Sequence, residues 1–67
     1  MERHPVSSSN IATIGYEDGT LEVEFLNGSV YQYFDVSENV YQGLMNAGSH
    51  GQFLNQVVKG NYRYARI

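Results

Sequence analysis

Few side chains in this 67-residue chain could carry chemistry. His4 and His50 are the only imidazoles and lie far apart, and there is no cysteine, so no set of metal ligands with the usual spacing exists. Ser49 and His50 are neighbours. A serine nucleophile, however, needs its base placed in space and oriented by a third group, which a dipeptide does not provide. Ser49 reads as a helix cap and His50 as a surface residue at a helix start. Glu22 and Glu24 are spaced to share one face of a strand, with nothing to build a cleft around them. No phosphate loop or dinucleotide fingerprint occurs. The expectation is a non-enzymatic protein with no catalytic residue, metal or cofactor.

A binding surface is a better prospect. The C-terminal segment interleaves cations with rings, and Lys59, Tyr62, Arg63, Tyr64 and Arg66 are its candidate nucleic-acid-binding residues. Proteins that hold RNA or single-stranded DNA pair a cationic groove with aromatic platforms for the bases. The charge distribution fits either an anion-binding face at the C-terminal end or two halves that simply offset each other in space. Residues 1–38 hold all seven acids against Arg3 alone, a net of −6, while residues 39–67 hold three cations and no acid, a net of +3. The overall charge of −3 opposes phosphate at long range, and Arg63 could instead pair with Glu22 or Glu24. The rival reading is a protein-interaction module that docks a partner, or a second copy as a homodimer, along a sheet edge. Joint exposure of Tyr62, Tyr64 and Arg66 favours nucleic acid; their burial beside a bare edge strand favours protein.

The elements that must position these residues follow from turns and periodicity. "SNIATIGYEDGTLEVEFLNGSVYQYF" reads as three antiparallel strands separated at Asp18-Gly19 and Asn27-Gly28, dipeptides that tolerate the positive φ of tight hairpins. Leu21, Val23 and Phe25 alternate with Glu22 and Glu24. A two-residue loop at Asn27-Gly28 would place Gln32 on the apolar face. A three-residue loop, Leu26-Asn27-Gly28, places Tyr31 and Tyr33 there instead, because a one-residue slip exchanges the two faces of a strand. The second register is expected, with both tyrosines mainly in the core.

Asp35 is expected to N-cap a helix, with Glu38 completing a capping box. Val40, Tyr41, Leu44, Met45 and Ala47 mark its buried stripe. Ser49 starts a second short helix carrying Phe53, Leu54, Val57 and Val58, which ends at Lys59-Gly60. "NYRYARI" suits a terminal strand. The fold class is therefore α+β, in the order β-β-β-α-α-β, with residues 1–7 a flexible tail and residues 8–67 a single domain. So small a chain has a thin core, and nine aromatic residues are the means of building it. No apolar run approaches the ~20 residues of a membrane span, and a cytoplasmic setting without membrane contact is expected.

The ordered set of residues resembles the KTSC domain, a family named for its occurrence at the C-terminus of some lysyl-tRNA synthetases and found also as small free-standing bacterial and phage proteins. The central mark is Tyr31-Gln32-Tyr33. Around it stand Phe25, Asn27 and Gly28, the Asp35-Val36 step and Val40-Tyr41. "AGSHGQFLNQVVKGNY" then carries the Ala-x-Ser-x-Gly-x-Phe segment, Asn55, Lys59 and Tyr62. Family members often have proline where this chain has Ser37, and either residue suits the start of a helix. The resemblance implies the small α+β fold and, from the synthetase context, RNA binding. It implies no catalytic residues.

Overall fold

The computed structural model describes residues 1–67. Five strands form one antiparallel sheet in chain order: β1 (Arg3–Pro5), β2 (Ile11–Glu17), β3 (Thr20–Phe25), β4 (Val30–Tyr33) and β5 (Tyr64–Arg66). Between β4 and β5 run α1 (Glu38–Asn46) and α2 (His50–Phe53), the latter continuing as a π-helical turn over Leu54–Val58. The expected α+β order is present, with β1 added at the front. No helix is long and apolar enough to cross a membrane.

Turn chemistry sets the sheet register. Asp18 and Gly19 both adopt positive φ between the paired Glu17 and Thr20, the conformation of a tight two-residue hairpin. The next loop has three residues. Gly28 sits at φ +92°, the Phe25 N–H donates to the Ser29 carbonyl at 2.9 Å, and Val23 lies opposite Tyr31 and Leu21 opposite Tyr33. The expected register therefore holds, and both tyrosines share a face with Leu21 and Val23. Strand β2 carries an irregularity that its sequence hides. Ile11 pairs with Phe25 but Thr13 with Glu24, so Ala12 is an extra residue. This bulge turns Ile11 and Ile14 to the same side although they are three apart, and they are only 1% and 0% exposed.

On that inner face Ile11, Ile14, Leu21, Val23 and Tyr33 pack with Val36, Leu44, Leu54 and Val58 to form the core. Ser49 caps α2 as expected, its hydroxyl accepting from the Gln52 N–H at 3.2 Å. Helix α1 starts differently from expectation. Ser37 is the N-cap, accepting from the Val40 N–H at 3.3 Å, whereas Asp35 lies in the left-handed region at φ +59° and cannot cap. An N-cap needs extended backbone, and the chain uses Asp35 to turn out of β4.

The outer face is polar and internally paired. Glu22 accepts from Gln32 Nε2 at 2.8 Å and faces Arg3 Nε at 3.5 Å, and Thr13 Oγ1 donates to Glu24 at 3.0 Å. Arg3 reaches Glu22 by crossing Gly15, where a Cβ would come within 2.9 Å of Arg3 Cγ and 2.5 Å of the Glu2 carbonyl oxygen. The segment read as a flexible tail thus contains an edge strand, held by backbone pairing with β2 and by this ion pair.

Candidate nucleic-acid interface

The helices cover only part of the inner sheet face. Helix α1 has nine residues, about 14 Å at the usual rise, and together with α2 it shields the Ile14–Leu21–Val23 region. Toward the β3–β4 turn and β5 the face stays open. There an open groove of about 760 Å³ is lined by Phe25, Tyr31, Tyr33 and Tyr64, with Lys59 and Gly60 on one side and Asn10, Asn27 and Ser29 at the turn end.

Strand pairing supplies the rings. Tyr64 lies opposite Tyr33, and Arg66 opposite Tyr31, so all four project from the same face. Tyr31 meets Phe25 edge-on at 5.8 Å between centroids, and Tyr64 is tilted against both Tyr31 and Tyr33 at 6.0 Å. Tyr64 is 63% exposed, whereas Tyr33 is 4% exposed. Burial, and then the neighbouring Tyr31 and Tyr64, push the Tyr33 phenol above its ordinary value of 10.0, so it is a neutral hydroxyl at physiological pH.

The cation comes from the helical side. In the π-helical turn the Lys59 N–H donates to the Leu54 carbonyl at 2.8 Å, and Gly60 follows at φ +84°. This ending carries the Lys59 ammonium to 5.1 Å above the centre of the Phe25 ring. Such turns are often found at functional sites. None of the seven acidic residues lines the groove.

The five residues singled out in the sequence separate in space. Lys59 and Tyr64 line the groove, and exposed Arg66 sits across from Tyr31 at its β5 side. Tyr62 is half-buried against the core. Arg63 belongs elsewhere. Its carbonyl accepts from the Phe34 N–H, which places it on the outer face by strand alternation. Its guanidinium pairs with Asp35 at 2.9 Å and lies 5.7 Å from the Phe34 ring centre. The expected pairing with Glu22 or Glu24 does not form, because Arg3, Gln32 and Thr13 occupy those carboxylates. Of the three residues whose joint exposure was the discriminator, Tyr64 and Arg66 are exposed and Tyr62 is not. From the sequence, Phe25 and Tyr31 are expected in the core and Asn27 in the hairpin turn, and Asn10 has no expected role. Their signal was the shared alternation with Tyr64, set against helices too short to cover a five-stranded sheet.

His50 and Ser49 have structural work. His50 Nδ1 lies 2.8 Å from the Leu44 carbonyl at the end of α1, and Ser49 caps α2.

Comparison with known proteins agrees with this architecture. A KTSC domain protein from Yersinia pestis superposes with a TM-score of 0.92 at 43% identity, over 98% of this chain and 96% of that one. A protein of Stutzerimonas stutzeri described as uncharacterized is 44% identical over all of this chain and 99% of its own length. The lysine–tRNA ligase of Nostoc punctiforme is 41% identical over 88% of this chain, which spans only 11% of that enzyme. The KTSC domain family model matches residues 7–62, a span that includes Phe25, Tyr31, Tyr33 and Lys59 and stops before β5. With Tyr31-Gln32-Tyr33 at the centre of the sheet and the match covering most of its length, this chain belongs to the KTSC domain family.

Proposed function

We propose that this domain is a non-enzymatic binder of single-stranded nucleic acid, RNA foremost, and that the aromatic groove is its site. The observation that carries the reading is the composition of the groove: three tyrosines and a phenylalanine beside Lys59, without one carboxylate, in a protein of net charge −3. Tyr31 and Tyr64, tilted rather than stacked on one another, leave π-faces for bases, and the local cation offsets the global repulsion of phosphate. The likeness to a segment of a lysine–tRNA ligase adds support, since that protein's name places it with an RNA substrate. A non-catalytic role is favoured because His50 and Ser49 are both engaged in helix ends.

A second reading has one observation in its favour. Strand β5 has a neighbour on one side only, so its outer edge is open to a strand from a protein partner or a second copy.

Fluorescence anisotropy with a labelled mixed-sequence RNA decamer separates the two. Lys59→Ala is expected to weaken binding and to reduce the slope of log K against log salt by about 0.7, the value for one phosphate contact on a single strand. Arg63→Ala, on the other face, is expected to leave both unchanged. No binding at low salt, or equal losses from the two substitutions, would remove the groove as the site.

A further inference from the structure

The turn end of the groove carries two side-chain amides whose orientation is fixed by their neighbours. Asn27 Oδ1 accepts from the Ser29 N–H at 3.0 Å and from the Ser29 hydroxyl at 2.7 Å. A backbone N–H can only donate, so the atom facing it is the oxygen and the amide nitrogen points away. Asn10 is oriented by a different route. Ser8 Oγ lies 3.3 Å from the Asn10 N–H and 3.2 Å from the Ile11 N–H, both donors, so its own proton is left for Asn10 Oδ1 at 3.1 Å. Asn27 Oδ1 is thus filled by two donors and Asn10 Oδ1 accepts from Ser8, and neither Nδ2 has a partner within the protein. Lys59, with three N–H donors and no acceptor, completes the set. Lys59 and the two unpaired amide nitrogens offer hydrogen-bond donors to a ligand, and no carboxylate lines the groove.

Bases present mixed edges of donors and acceptors, whereas a phosphodiester presents acceptors only and carries a negative charge. A wall of donors beside a floor of rings matches a phosphate beside a base. Resting on the nucleic-acid reading above, we propose that the groove recognises a strand by its phosphate and not by its sequence: Lys59 and the amide nitrogens of Asn10 and Asn27 hold a phosphodiester, while Tyr31 and Tyr64 stack whichever bases flank it. The groove volume, about 760 Å³, lies in the range of sites that hold one small ligand, so the recognised unit is a short stretch of strand. Rings accept any base because every base has a π-face.

The test compares oligouridylate, oligoadenylate and oligocytidylate of equal length at one salt concentration with a methylphosphonate strand, whose backbone is uncharged. The three natural strands are expected to bind within about threefold of one another, and the neutral strand more than about tenfold more weakly than its charged counterpart. Asn27→Asp keeps an oxygen for Ser29 but replaces the donor by an acceptor. It is expected to melt like the wild type and to lose about tenfold in affinity for every natural strand. A tenfold preference among the natural strands, equal binding of the neutral strand, or unchanged affinity in Asn27→Asp would overturn the proposal while leaving a nucleic-acid groove in place. Failure of all natural strands to bind would overturn the proposal and the reading beneath it together.

Discussion

Two groups of tyrosines lie over the same face of this sheet and have opposite fates. Tyr16 on β2 and Tyr41 on α1 are stacked at 4.7 Å with ring planes 9° apart, and the Tyr16 hydroxyl donates to the Val36 carbonyl at 2.5 Å. That cluster is closed: its π-faces meet and a hydroxyl is satisfied. Tyr64 stands 6.0 Å from each of Tyr31 and Tyr33 at tilts near 40°, and Tyr16 is the one tyrosine whose hydroxyl is hydrogen-bonded within the protein. That cluster is open at Tyr31 and Tyr64. The difference arises from what lies above the sheet. Helix α1 brings Tyr41 down onto Tyr16, whereas only Lys59 reaches over the groove end. One residue type thus serves to fasten a helix in one place and to present rings in another.

Removing a ring from each cluster should separate stability from binding. Tyr41→Ala deletes half of the closed stack and leaves a gap over Tyr16. We expect a loss of about 2–3 kcal/mol in chemical denaturation, with nucleic-acid affinity of the folded fraction unchanged. In a domain of this size that lowers the melting temperature by on the order of 10 °C or more. Tyr64→Ala should do the reverse. Its ring is mostly exposed, so stability should change by under about 0.5 kcal/mol, while binding weakens by about 1–3 kcal/mol.

A smaller contrast concerns hydroxyls. Tyr16→Phe loses one satisfied hydrogen bond and leaves the Val36 carbonyl without it, for a cost of about 1 kcal/mol. Tyr33→Phe removes no bond within the protein and should be close to neutral in the same denaturation experiment.

The smallest effect appears at alkaline pH. Because burial and its neighbours raise the Tyr33 pKa above 10.0, the folded protein holds this proton more tightly than the unfolded chain does. The stability is fully present below pH 10 and declines as pH rises through the higher folded pKa. Tyr33→Phe should flatten that decline, measured as melting temperature against pH.

Much of the fold was legible because its signals are local. Asp18-Gly19 and Asn27-Gly28 fix two turns, and the polarity of Gln32 selects the register between them. Other features depend on competition or on distance. Asp35 and Ser37 are both good caps, and the choice fell to Ser37 because the exit from β4 needs a residue that tolerates positive φ. Strand β1 has three residues and no alternation, and its anchor, Arg3 lying across Gly15 to Glu22, joins positions far apart in the chain. The groove was half legible. Lys59, Tyr64 and Arg66 were marked by composition, but the same marks included Arg63, which alternation sends to the outer face. Whether Tyr31 is core or surface depends on how far two short helices reach, which no periodicity records.

The proposed nucleic-acid site is the open tyrosine cluster, not the C-terminal segment as a whole. An NMR titration of the labelled protein with short mixed-sequence RNA and single-stranded DNA at low and moderate salt tests it directly. Salt-sensitive shifts are expected at Phe25, Tyr31, Lys59 and Tyr64, with Arg63, Tyr16 and Tyr41 unmoved. An unchanged spectrum at millimolar ligand and low salt, or shifts centred on Arg63 and Phe34, would contradict it.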